Sequence, residues 1–210
     1  MIRMALIGWM AALLACASLG EAPVATAGEF NEVLNIGDAA PAWTKLPGVD
    51  GKEHSLSDLK GKDVVVVVFT CNSCPISTDY EDRIIAFAKQ HCGPGSRAAL
   101  VAINVNKVEE DKLPKMRERA KEKAFPFPYL YDETQKIARD FGAVFTPEFY
   151  VLDKERKVVY MGGMDNNSSA DAVTENYLDP ALSAALKGEK PARTETAAIG
   201  CRVRYARVRK

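Results

Sequence analysis

The stretch Val64-Val65-Val66-Val67-Val68-Phe69-Thr70-Cys71-Asn72-Ser73-Cys74-Pro75 decides how the rest of this chain is read. Five valines continued by a phenylalanine show no polar–apolar alternation. Such a run belongs to a strand covered on both faces, the central position of a parallel sheet. Ile76 to Gln90 follows with Tyr80, Ile84, Phe87 and Ala88 at helical spacing. Pro75 suits the first turn of that helix, where an N–H has no intrahelical partner in any case. Cys71 therefore ends a strand and Cys74 opens a helix, at the carboxyl edge of a central strand where α/β sheets place their sites.

Working outward, Ala98 to Val105 is a second buried strand, and Lys107 to Ala124 is a charged helix with Leu113, Met116 and Ala120 on one face. Pro126 and Pro128 break the chain before the short strand Tyr129-Leu130-Tyr131. Asp132 and Gln135 have capping-box spacing and Gly142 suits a C-cap, which predicts a helix over Glu133 to Phe141. Phe149 to Leu152 and Val158 to Met161 flank a turn at Asp153 to Arg156 and read as a hairpin. A final helical stretch runs from Ala170 to Leu186, interrupted or rejoined at Pro180, before a linker at Gly188 to Thr196. Upstream, Asp38 to Lys62 reads as an irregular entry with a short hairpin, followed by one helical turn carrying Leu56 and Leu59. Strands alternating with helices argue for α/β layers, a sheet covered by helices on both sides.

Composition narrows the chemistry. The chain has 210 residues, with 28 basic against 28 acidic. No charged field of one sign is available to grip a phosphate backbone, so nucleic acid is not an expected partner. The N-terminus carries Arg3, an uncharged run from Met4 to Gly20, and then Ala25-Thr26-Ala27. This is the pattern of a secretory signal over residues 1–27, cleaved after Ala27. An uncleaved anchor and lipidation of Cys16 in Leu13-Leu14-Ala15-Cys16 are the alternatives, and either would tie the protein to a membrane. Residues 28–187 then form the folded domain, and 188–210 a linker with a basic, strand-like tail.

Export places Cys71, Cys74, Cys92 and Cys201 in an extracytoplasmic, periplasmic compartment where disulfides persist. There a Cys-x-x-Cys is expected to exchange disulfides more readily than to hold zinc, because His54, His91, Cys92 and Cys201 supply no second ligand pair. Haem attachment would need a histidine after Cys74, where Pro75 stands. No metal and no cofactor is expected. At a helix start, unpaired N–H groups and the helix dipole favour the thiolate of the more exposed first cysteine, the species that attacks disulfides. Cys74, inside the first turn, is placed to resolve the mixed disulfide. Thr146-Pro147 heads a strand, where a proline marks an edge, a turn or a cis bond.

Together with these features, the marks Gly37-Asp38-Ala39-Ala40-Pro41, Asp50-Gly51-Lys52, Leu56 to Lys62, Phe69 to Pro75 and Phe145-Thr146-Pro147-Glu148 make the chain resemble the extracytoplasmic thioredoxin-like oxidoreductases of the AhpC/TSA (redoxin) group, from Ile36 to about Leu186. The resemblance implies a thioredoxin-like fold: a central mixed sheet with helices on both faces, an N-terminal hairpin extension and a C-terminal strand-like tail. It implies that Cys71 is the nucleophile, that Cys74 resolves, and that Thr146 and a cis Pro147 hold an incoming substrate backbone. Partners would be protein thiols or disulfides and an upstream redox protein.

Departures from the family pattern matter. The buried acid that thioredoxins keep six residues before the first cysteine is here Val65, and the glutamate that some membrane-anchored relatives keep three residues after the second is Ser77. Glu148 is the nearest candidate proton acceptor, although an ordinary solvated glutamate is its plainer reading. The Pro-x-x-x-Thr-x-x-Cys frame of peroxiredoxins is missing, as are the Cys-x-x-x-Cys and late histidine of the related copper chaperones. Cys201, in Gly200-Cys201-Arg202, resembles the Gly-Cys tails of some members; it is a third redox cysteine, a lock for the tail, or a free or structural thiol. Cys92 is a helix-end bystander or a partner for Cys201. Tyr80-Glu81-Asp82-Arg83 has a family-like look without an assigned role. The function expected is thiol–disulfide exchange through Cys71 and Cys74. Thiol peroxidation, or a non-catalytic binding module with a structural disulfide, are the alternatives.

Overall fold

A computed structural model describes residues 28–207. The predicted signal segment, its cleavage site after Ala27 and Cys16 lie outside the described residues. A small hairpin pairs β1 (Leu46–Pro47) with β2 (Glu53–His54), and a single 3-10 turn at Leu56–Leu59 leads into β3 (Val64–Phe69). There follow α1 (Pro75–His91), β4 (Ala98–Asn104), α2 (Leu113–Lys123), β5 (Tyr129–Tyr131) and α3 (Lys136–Phe141). The chain continues through β6 (Phe145–Thr146), β7 (Glu148–Leu152), β8 (Val158–Gly162), α4 (Leu178–Lys187) and β9 (Cys201–Arg202).

The main sheet has the order β5-β4-β3-β7-β8, with β3, β4 and β5 parallel and β7 and β8 antiparallel. The valine strand is its centre, and all six residues of β3 are fully buried. Successive strand residues face opposite sides. Val64, Val66 and Val68 join Tyr80, Ile84 and Phe87 of α1, Met116 of α2 and Leu182 of α4 in one apolar layer. Val65, Val67 and Phe69 pack on the other face against Trp43, Leu56 and, from α3, Ile137 and Phe141. Each such buried side chain stabilises the fold by roughly 1.5–3 kcal/mol, so the absence of alternation in β3 reflects two cores meeting at one strand. The N-terminal hairpin lies against the β5 edge, where the Val49 N–H donates to the Tyr129 carbonyl, and so covers backbone that an open edge would expose.

Three segments differ from their sequence expectations. The helix expected from Glu133 starts at Lys136, because Gln135 takes a left-handed backbone (φ 64°) and sends its side chain to the Val105 and Arg204 carbonyls. Asp132 still serves this helix, accepting from the Thr134 and Ile137 N–H groups. Between Lys107 and Ala124, only Leu113–Lys123 is α-helical, as Pro114 stands in the first turn and has no N–H to join a turn begun upstream. The stretch from Ala170 splits into a 3-10 turn at Ala170–Ala172 and α4, with Pro180 again in a first turn.

Candidate active site

At the carboxyl end of β3 the chain leaves the sheet as Thr70 and enters α1 at Pro75, with Cys74 as the N-cap residue. Cys74 Sγ accepts from the Ser77 N–H at 3.3 Å. Facing this junction is the β6–β7 connection, where the Thr146–Pro147 peptide is cis. Thr146 is 2% exposed and touches both cysteines: its Oγ1 lies 3.4 Å from Cys71 Sγ and its carbonyl oxygen 3.3 Å from Cys74 Sγ. The pair Cys71 and Cys74 and the pair Thr146 and Pro147, far apart in sequence, are thus brought together.

Cys74 is disulfide-bonded, and its partner is Cys201, 127 residues away with a Cα–Cα distance of 6.0 Å. Cys71 and Cys92 are free thiols. Pairing of Cys92 with Cys201 is thereby excluded in this structure, and the reading of Cys201 as a free thiol is corrected. The bond forms because β9 pairs antiparallel with β6, setting Cys201 opposite Thr146. Neither Cys71 nor Cys74 is appreciably accessible, each being 3% exposed, whereas Cys201 is half-buried. Burial raises the Cys71 pKa, and the nearby Asp111 carboxylate raises it further; hydrogen bonds from Thr146, Ser73 and the Cys74 N–H pull the other way without prevailing. In this form Cys71 is held as a thiol.

Asp111 is the residue that sequence reasoning missed. It is fully buried, and one carboxylate oxygen accepts from the Asn72 N–H at 2.7 Å and the Ser73 N–H at 3.0 Å, while the other accepts from the Ser73 hydroxyl at 2.5 Å. Asn104 at the end of β4 donates to the same side chain, and Asn104 also donates to the Tyr129 hydroxyl, which donates to Asn72 Oδ1. The two residues between the cysteines are therefore clamped by Asp111, from the 3-10 turn Glu109–Asp111 that follows β4, with Asn104 of β4 and Tyr129 of β5 behind it. In sequence, Glu109-Glu110-Asp111 looks like a solvated acidic run, and nothing in its pattern marks the third acid as buried.

Glu148 is not the solvated residue its position suggested. It is 5% exposed and accepts from the Val144 and Phe145 N–H groups and the Tyr150 hydroxyl, each at 2.8 Å. Burial raises its pKa despite these donors. With both oxygens engaged, it shapes the turn that carries Thr146. The Tyr80-Glu81-Asp82-Arg83 run is also explained: Tyr80 and Arg83 bond Asp165, Glu81 pairs with Arg119 and Asp82 with Lys123, fastening α1 to its surroundings.

Residues 36–161 match the AhpC/TSA family. The chain is similar to an uncharacterised conserved protein from Geobacillus kaustophilus, at 32% identity over 85% of this chain and 96% of that one, with a TM-score of 0.78. A Mycobacterium tuberculosis protein provisionally named a peroxiredoxin is 28% identical over 60% of this chain and 83% of its own length. The thiol-disulfide oxidoreductase ResA of Geobacillus thermodenitrificans is 25% identical over 70% of this chain and 79% of its own.

Proposed function

From the premise that this chain belongs to the AhpC/TSA family, we propose that it is an exported, extracytoplasmic thiol–disulfide oxidoreductase of the redoxin group, acting on protein substrates through Cys71 and Cys74. The observation that carries this reading is the contact of both cysteines with Thr146 beside the cis Pro147. In the reduced enzyme the Cys71 thiolate attacks a substrate disulfide, forming a Cys71–substrate bond and expelling one substrate thiolate. Cys74 then attacks Cys71 Sγ, the mixed disulfide breaks, and the substrate leaves as a dithiol with the two electrons the enzyme has lost. The exposed backbone of an incoming chain adds beside Thr146 and Pro147, as the family resemblance implies. The export signal over residues 1–27 supports an oxidising compartment, where the substrates are disulfide-bearing proteins and an upstream redox partner recycles the enzyme.

Reduction of insulin disulfides tests this directly. Wild type is expected to precipitate insulin chains under a recycling reductant, and Cys71→Ser to fall to the uncatalysed background. Equal rates for the two proteins sink the proposal.

A peroxidase reading draws support from the mycobacterial relative and from Cys71 standing as a thiol outside the disulfide. Against it, Cys71 is buried, and the groups acting on its charge are a carboxylate, hydroxyls and an amide rather than a cation. Stoichiometric hydrogen peroxide with mass detection separates the two, since peroxidation adds one oxygen at Cys71.

A further inference from the structure

The strand edge at Thr146 is occupied by the protein's own tail. Cys201 and Arg202 pair with Thr146 and Phe145. The seat is close: a Cβ at Gly200 would overlap the Thr146 carbonyl oxygen and come within 3.1 Å of Pro147 N, so a side chain there cannot be accommodated without displacing the tail. Beyond it, the Val203 N–H donates to the Val144 carbonyl at 2.8 Å, the Arg204 N–H to Asn106 Oδ1 at 2.9 Å and the Tyr205 hydroxyl to the Ala143 carbonyl at 2.6 Å. Gln135, whose left-handed backbone shortened α3, holds the Arg204 carbonyl and the Ala206 N–H. The β6–β9 pairing and the Val203–Val144 bond are main-chain contacts of the kind an added peptide strand makes, the remaining bonds run through side chains, and the covalent link is Cys74–Cys201.

We propose that Cys201 is a third redox residue of this centre, and that transfer of Cys74 from Cys201 to Cys71 unlatches the tail from the edge a protein substrate uses. The proposal rests on the oxidoreductase reading for the identity of that substrate. In the step, the Cys71 thiolate attacks Cys74 Sγ; the Cys71–Cys74 bond forms and the Cys74–Cys201 bond breaks. Cys201 leaves as a thiolate and takes up the proton Cys71 gave up. No electrons enter or leave, so the step isomerises one disulfide and needs no outside oxidant or reductant. Afterwards the Cys-x-x-Cys is the oxidised pair, and the tail is held by hydrogen bonds alone. In the latched form, a substrate has neither a free strand edge nor access to a sulfur other than that of Cys201.

Acid-quenched disulfide mapping of the full-length oxidised protein reads this step without any substrate. Wild type incubated at pH 8 is expected to contain both Cys74–Cys201 and Cys71–Cys74; Cys71→Ser should hold only the first and Cys201→Ser only the second. If the latched isomer is about nine-tenths of the oxidised protein, Cys201→Ser oxidises a dithiol peptide in single turnover about tenfold faster, because activity scales with the competent fraction. Gly200→Ala, which leaves every cysteine in place, should shift the mapped ratio toward Cys71–Cys74. The proposal is overturned if wild type shows only Cys74–Cys201 at every incubation time, if Gly200→Ala leaves the ratio unchanged, or if Cys201→Ser oxidises the dithiol at a measurable rate that is no faster than that of wild type. Should neither protein oxidise the dithiol while both bonds are still mapped, the latch stands and the oxidoreductase reading alone falls.

Discussion

Helix α1 has a cysteine at each end, and the two ends treat sulfur differently. Cys92, the C-cap residue, is half-buried against the apolar layer under α1, and burial pushes its thiol up to about 12 with only Lys62 pulling it down. At the other end Cys71, just ahead of the helix, is more deeply buried, yet Thr146, Ser73 and the Cys74 N–H all surround its sulfur with donors. Exposure is therefore a poor guide to chemistry here. The end proposed to react is distinguished by polar groups placed to bond a sulfur anion, and the Cys92 end by their scarcity.

The largest effect expected from this contrast is in alkylation of the reduced protein. At pH 8 a thiol with a pKa of about 12 is ionised in about one molecule in ten thousand, so Cys92 should resist iodoacetamide while Cys71 and Cys74 are modified. Peptide mass mapping over time reads it, and labelling of Cys92 as fast as Cys71 would erase the distinction between the two ends.

Asp111 sharpens the comparison, because among the described residues the clamp it makes lies at the Cys71 end of the helix. Asp111→Ala removes the acceptor of two backbone N–H groups and a hydroxyl, which should lower stability by about 2–5 kcal/mol in urea unfolding. Asp111→Asn keeps an acceptor and removes the charge that raises the Cys71 pKa, so the pH profile of Cys71 alkylation should move to lower pH. In a Cys74→Ser background the sulfur is followed alone, and a profile that stays in place would mean the carboxylate has no electrical influence on it.

The smallest effect concerns Glu148, which supports the Thr146 side of the site. A carboxyl whose pKa is raised by folding favours the folded state while protonated. That contribution is present below the ordinary glutamate value of 4.5 and is lost as pH climbs through the folded-state value. Glu148→Gln should remove this loss, a slope of at most about 1.4 kcal/mol per pH unit, with insulin reduction retained. Urea midpoints against pH for the two proteins measure the slope, and abolished reduction in Glu148→Gln would make the carboxylate a participant in proton transfer.

Much of this centre is legible in the sequence. The valine run had to be a two-faced strand, Pro75 had to open a helix, and the hairpin around Asp153 to Arg156 had the punctuation of a turn; each rests on local stereochemistry that the side chains themselves carry. The misreadings were of polar residues. Glu148 looks like a solvated acid in sequence, Gln135 looks like a capping partner and Asp111 draws no reading at all, because a polar side chain's destination depends on which distant N–H groups and carbonyls lack partners after packing.

The sequence by itself determined the α/β order, the strand-to-helix junction that presents Cys71 and Cys74, and the family in which those residues are read. Only the tertiary structure decided that Cys74 is joined to Cys201, that the tail lies along Thr146, and that the loop between the cysteines is clamped by Asp111. Periodicity and turn chemistry act over a few residues and can be read along the chain. A disulfide across 127 residues depends on the distance between two sulfurs after the sheet has formed, and no local pattern encodes that distance.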